Sequence, residues 1–126
     1  MNREIKYQAW YKKENRMIYP VIQLHLDNMP FIGWYETVQD AVEGKLTTAF
    51  LDEVELREYI GRKDKNGKEI YEGDIDGSDE PMFVAYEDGS FGLKYSEKSD
   101  YFNSCISWDR CEIIGNIYEN PDLLEG

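Results

Sequence analysis

The sequence predicts a mainly β protein, a small barrel or rolled sheet with an N-terminal hairpin and one or two short helices. Three observations predict it. Short apolar runs alternate at period two, turn-forming clusters separate them, and Tyr is abundant, with ten in 126 residues. Tyr and β-branched residues suit half-buried pleated surfaces. Short strands broken by frequent turns suit small barrels. The length fits one domain that folds without disulfides or metals. Residues 1–126 are read as that domain, with a hairpin layer over about 1–50 and a barrel-like part over about 54–120.

The elements follow in order. Residues 4–11 alternate, with Ile5, Tyr7 and Ala9 opposite Lys6, Gln8 and Trp10, which is a strand pattern. Lys12–Arg16 is a polar turn, and the run Met17–Asp27 returns, with Ile22, Leu24 and Leu26 on one face. Pro20 marks an edge or a break, because proline cannot donate to a ladder. Asn28–Pro30 and Gly33 punctuate a loop. Thr37–Glu43 reads as a short helix capped by Thr37 and Gly44, with Asp40 in the capping-box position. Thr48–Ile60 suits helix or strand, and the strand reading is taken from about Val54 to Ile60. Asp64–Gly67 is a tight turn, since Asn66 and Gly67 both tolerate positive φ, and Glu69–Tyr71 returns from it. Glu72–Ile75 turns into another strand. Met82–Glu87 and Phe91–Tyr95 flank the turn Glu87–Ser90 as a second hairpin. Residues 96–108 are polar and irregular. Cys111–Tyr118 is the last strand, with Ile113 and Ile117 opposite Ile114 and Tyr118, and Asp122–Leu124 docks as a small cap after Pro121.

The net charge of −12 is large for this size and unevenly spread. Residues 1–20 carry +3, residues 21–60 carry −6, residues 61–75 balance, and residues 76–126 carry −9. An acidic field repels phosphate backbones, which disfavours nucleic acid as a direct partner. It serves solubility, or it occupies a basic site on another protein. The N-terminus turns polar at once, and no apolar run approaches the roughly 20 residues of a membrane span. A cytoplasmic protein is expected, with Cys105 and Cys111 reduced.

At this point the residues carry a resemblance. The blocks Tyr59–Ile75 (YIGRKDKNGKEIYEGDI) and Cys111–Leu124 (CEIIGNIYENPDLL) fall in order, after an opening with Ala9-Trp10 and Met17-Ile18. Together they resemble the YopX family, small proteins encoded by bacteriophages and prophages. The sequence departs from that pattern at Arg62 and at Asp76-Gly77, which implies a short strand after the Gly-Asp-Ile turn. The resemblance implies a Src-homology-3-like barrel, and it brings no known enzymatic activity and no known catalytic residues.

The remaining motifs are weighed for chemistry. Gly67, Tyr71, Gly73 and Asp74 fit turn geometry, packing and capping, although a Gly-Asp-Ile turn also opens strands of nucleic-acid-binding barrels. Arg62, Lys65 and Lys68, with Lys63, are candidate phosphate contacts; four interleaved acidic residues suggest instead a solvated hairpin tip. His25 stands alone, with no nucleophile at a family-specific spacing. Two Cys and one His lack zinc spacing. Asp76–Glu80 is an oxygen-rich loop, better read as flexible and acidic than as a cation site. No cofactor fingerprint occurs. Trp34, Tyr35, Tyr101 and Trp108 are candidate interface anchors if exposed together, and ordinary packing residues otherwise. The expected function is a non-enzymatic module that binds a host or phage protein through an acidic, aromatic-rich face. The alternatives are a nucleic-acid-associated barrel and a self-assembling protein with homo-oligomeric contacts through strand edges.

Overall fold

The computed structural model describes residues 5–96 and 98–124, and it is mainly β, with eleven strands and one α-helix among them. The chain forms two compact units, one of Lys6–Arg57 and one of Ile5 together with the chain from Glu58 onward.

In the first unit, β1 (Tyr7–Tyr11) and β2 (Arg16–Ile18) form the expected hairpin, with Ala9 opposite Ile18 and Tyr11 opposite Arg16. Glu4, where the strand was expected to begin, lies outside the described residues. The return run is two strands rather than one. Arg16–Ile18 stops before the Tyr19–Pro20 bond, which is cis, and β3 (Gln23–His25) starts afresh beyond it. A proline has no N–H to continue the ladder. β3 joins β4 (Phe31–Trp34) and β5 (Thr47–Phe50) in the order β3-β4-β5. Gly33, expected in a loop, is therefore inside β4, and its carbonyl accepts from Ile22 N–H at 2.8 Å. The helix is as expected: α1 spans Val38–Glu43, Thr37 Oγ1 accepts from Asp40 N–H at 3.0 Å, and Gly44 closes it at φ 69°. Ala9, Ile18, Ile32, Trp34, Ala49 and Val54 form the core of this unit.

β6 (Val54–Lys63) begins in the first unit and ends in the second, three residues beyond the expected limit. Its second half pairs with β7 (Glu69–Tyr71). β8 (Asp74–Asp76), β9 (Met82–Glu87), β10 (Ser90–Lys94) and β11 (Ile113–Asn116) form a sheet in the order β10-β9-β8-β11. β8 has the short length expected after the Gly-Asp-Ile turn. The β9–β10 hairpin turns on Asp88 (φ 51°) and Gly89 (φ 86°), two positive-φ residues that match the right-handed twist of the strands. In the β6–β7 turn, by contrast, Gly67 takes positive φ and Asn66 does not. Ile60, Ile70, Val84, Leu93, Cys111 and Ile113 form the second core, and Ile106 and Trp108 pack on it.

The last strand is shorter than expected. Asn116 Oδ1 accepts from Tyr118 N–H (3.0 Å) and Glu119 N–H (2.9 Å), which turns the chain out of the sheet. Ile117 and Tyr118 thus lie in the turn, where Ile117 N–H reaches Gly73 O at 2.9 Å. Gly73 sits at φ 86°, and a Cβ there would stand 2.9 Å from the Tyr118 ring. Both facts exclude a larger residue. Leu123 and Leu124 are half-buried in a closing 3-10 turn.

Asp64, Asp74 and Asp76 are all buried, and each accepts from backbone N–H groups. Asp64 does the most. Its Oδ1 takes Asn66 N–H and Lys68 N–H at 2.9 Å each, and its Oδ2 takes Ile113 N–H at 2.9 Å. One carboxylate thus shapes the β6–β7 turn and pins it to β11. Burial pushes its carboxyl up, but the three N–H groups and Lys68 outweigh burial and hold it below the ordinary range. Asp76 accepts from Ser78 N–H and Oγ–H and from Glu112 N–H.

Two predictions follow from these contacts. Asp64→Ala leaves Ile113 N–H buried without its acceptor, so unfolding free energy should fall by about 2–4 kcal/mol in urea, against less than about 0.5 for exposed Lys68→Ala. Because the folded-state pKa is depressed, the Asp64 contribution is complete above the unfolded value of about 3.9 and is lost as pH falls through the lower folded value. An acid melt of Asp64→Asn should therefore be flatter below about pH 4 than that of the parent. For the thiols, burial first and Asp76 next push Cys111 up to about 12, whereas Cys105 is exposed. At pH 8 only about one Cys111 in ten thousand is thiolate. A thiol reagent should label one cysteine per native chain, at Cys105, and the second only with denaturant; fast double labelling would contradict the packing.

Candidate functional site

The first unit exposes a row of rings. Alternation along β3, β4 and β5 sends Leu24, Ile32 and Ala49 inward and leaves Gln23, His25, Phe31, Thr48 and Phe50 on the other face. Register places His25 opposite Phe31 and Phe31 opposite Phe50, so the three rings form one line across the sheet. His25 lies flat on Phe31, with centroids 4.4 Å apart and planes at 13°. Phe50 is 52% exposed. It lines two clefts, one of about 270 Å³ with Phe31, Thr48 and Glu53, the other of about 170 Å³ with Met29, Pro30 and Asp52. Each cleft therefore pairs apolar walls with one carboxylate. Glu53 Oε1 also accepts from Phe50 N–H at 2.9 Å, which fixes the end of β5.

The sequence did not point to these residues. Phe31 and Phe50 sit in four-residue strands too short to show a period, and only cross-strand register aligns them with His25.

The expected aromatic anchors are dispersed. Trp34 is 3% exposed and belongs to the first core, so its ring is not a surface anchor. Its indole N–H donates to Glu36 at 3.0 Å, and Arg16 bonds the same oxygen at 2.5 Å, which holds the Glu36 carboxyl below its usual range. Tyr35 is half-buried. Tyr101 is 51% exposed and packs against Tyr95 at 5.4 Å. Trp108 is half-buried and lines a groove of the second unit.

That groove, about 750 Å³, is walled by Tyr59, Gly61, Arg62 and Lys63 on one side and by Ser104, Ile106, Ser107, Trp108 and Asp109 on the other. Of the expected phosphate contacts it holds Arg62. Lys65 stands at the turn, 3.4 Å from Glu112, and Lys68 is exposed beside it. Two of the four acidic residues thought to interleave with these cations, Asp64 and Asp74, are buried and bonded to backbone. In the Asp76–Glu80 loop, Asp76 faces inward with its oxygens occupied by N–H and O–H donors, which removes the central ligand that a cation site there would need. No cluster of His, Cys, Asp or Glu suited to a metal occurs among the described residues. No helix among them is long and apolar enough to cross a membrane.

Comparison with known proteins places the chain. Its architecture is similar to the crystal structure of protein EF1440 from Enterococcus faecalis, with a TM-score of 0.69 and 26% identity over 98% of this chain and 100% of that one. It is also similar in fold to protein yopX from Bacillus subtilis, with a TM-score of 0.56 and 20% identity over 96% of both chains. No curated protein matches it. A family model described as YopX protein matches residues 6–125. Across almost its whole length, then, the chain belongs to the YopX family.

Proposed function

We propose that this is a non-enzymatic binding module that docks a basic segment of another protein on the His25–Phe31–Phe50 face. The observation that carries the reading is that row of rings, whose Phe50 end lines two clefts, each edged by a carboxylate. Exposed aromatic side chains beside pockets are the usual anchors of protein interfaces. Asp52 and Glu53 suit a Lys or Arg that flanks an apolar residue of the partner. The net charge of −12 favours encounter with a basic surface at long range and gives no orientation by itself. The family resemblance supports a host or phage protein as partner and the bacterial cytoplasm as location.

A nucleic-acid-associated barrel has exposed Arg62, Lys65 and Lys68 in its favour. Against it stands the composition of residues 58–126, with seven basic and seventeen acidic side chains and a net of −10. Such a field opposes a polyphosphate strand.

The test is site-specific photocrosslinking in bacterial lysate. A benzophenone side chain at position 50 should capture one protein through a Lys- or Arg-rich segment, and one at exposed Asp122 should not. With that protein purified, Phe50→Ala should weaken binding about thirtyfold, the cost of an anchor worth roughly 2 kcal/mol, without lowering Tm. Failure of position 50 to crosslink, or an unchanged affinity in Phe50→Ala, removes this face from the function.

A further inference from the structure

The groove of the second unit has a construction that protein docking on the first does not explain. β6 pairs with β7 at Tyr59–Tyr71 and again at Lys63–Glu69, so four residue steps on β6 face two on β7. The excess is a bulge centred on Gly61, which sits at φ 87°. In a regular strand Arg62 would point to the opposite side from Gly61 and Lys63. Across this irregularity Gly61, Arg62 and Lys63 all line the groove, and bulges occur preferentially beside binding sites.

The opposite wall differs in kind. Ser104 and Ser107 are exposed hydroxyls, Asp109 is an exposed carboxylate, and Trp108 is held by the core while its ring lines the groove. No ion pair engages Arg62 or Lys63 among the described residues, although Asp109 lines the same groove. The site therefore combines an unneutralised cationic wall, a flat aromatic surface, and acceptors for hydroxyl or amino hydrogens. A volume of about 750 Å³ is the size of a small-molecule site rather than of a packing defect.

We propose that this groove binds a mononucleotide, with its phosphate on Arg62 and Lys63, its base against Trp108, and its ribose hydroxyls or exocyclic amine on Ser104, Ser107 and Asp109. Guanidinium and ammonium groups are the standard partners of phosphate. Stacking on an aromatic ring is tolerant of base identity. The charge distribution selects the small ligand over the polymer. Residues 58–126 carry a net of −10, which repels a strand with a charge at every nucleotide, whereas one phosphate needs only the local cationic wall.

The experiment is a titration of the ¹⁵N-labelled chain with adenosine 5′-monophosphate, followed by amide shifts, with adenosine, inorganic phosphate and a thymidine octanucleotide as comparisons. Saturable shifts confined to residues 59–63 and 104–109, with Kd below about 1 mM, are expected. Adenosine and phosphate should each bind at least about tenfold more weakly, as each satisfies one wall only. Arg62→Ala/Lys63→Ala should lose about tenfold or more while the remaining spectrum reports an intact fold. Trp108→Phe keeps a ring on the core and should retain binding, whereas Trp108→Leu should lose it. Absence of saturation by the monophosphate overturns the proposal, as does binding that survives the double substitution. Phosphate alone matching the nucleotide, or the octanucleotide binding more tightly per site, would also overturn it.

Discussion

The second unit depends on a buried carboxylate that faces three peptide N–H groups. Asp64 ends β6, shapes the turn into β7 through Asn66 and Lys68, and accepts from Ile113, 49 residues further along the chain. A neutral acceptor there would make weaker bonds, and an apolar residue would leave a buried N–H unsatisfied. Asp76, at the end of β8, repeats the device one residue earlier, at Glu112 just before β11. Two carboxylates from separate elements thus hold the start of β11, where only short strands exist to hold it by ladder bonds. Asp74 does the same for the turn that opens β8, through Tyr71 N–H at 2.8 Å.

This arrangement redistributes charge. Two of the four acidic residues interleaved with Arg62, Lys63, Lys65 and Lys68 in the sequence, Asp64 and Asp74, are internal ligands of the backbone. The Cys111 thiol is desolvated and lies beside Asp76, so ionisation would place a second negative charge against the first. One of the carboxylates that build the fold thus also disfavours ionisation of a buried thiol.

The two candidate surfaces differ in origin. The groove beside β6 is lined at a backbone irregularity, where Gly61, Arg62 and Lys63 follow one another along the bulged strand. The ring row on β3, β4 and β5 is made by regularity, since pleat and register line up residues drawn from three short strands. Tertiary packing also decides which aromatics are available at all. Trp34 sits in a four-residue strand with its neighbours Ile32 and Gly33 equally buried, so no alternation along that strand announces which ring is lost to the core.

Turns and caps were legible in the residues because their chemistry is local. Thr37 and Gly44 bound the helix, Asp88-Gly89 makes the second hairpin, and the glycine of the Gly-Asp-Ile turn sits where only glycine fits. The mainly β class, the first hairpin and the family were legible for the same reason, since each rests on residues adjacent in the chain. The split of Met17–Asp27 into two strands, the strands β4 and β5, and the end of β11 at Asn116 were not. Strands of three or four residues are too short to carry a period, and their pairing is set by partners elsewhere in the chain. By itself the sequence determined the turns, the strand content and the sign of the overall charge, all properties of neighbouring residues. Only the tertiary structure decided which carboxylates are internal, which rings are exposed and which cations share a wall, because burial and register are relations between residues far apart in sequence.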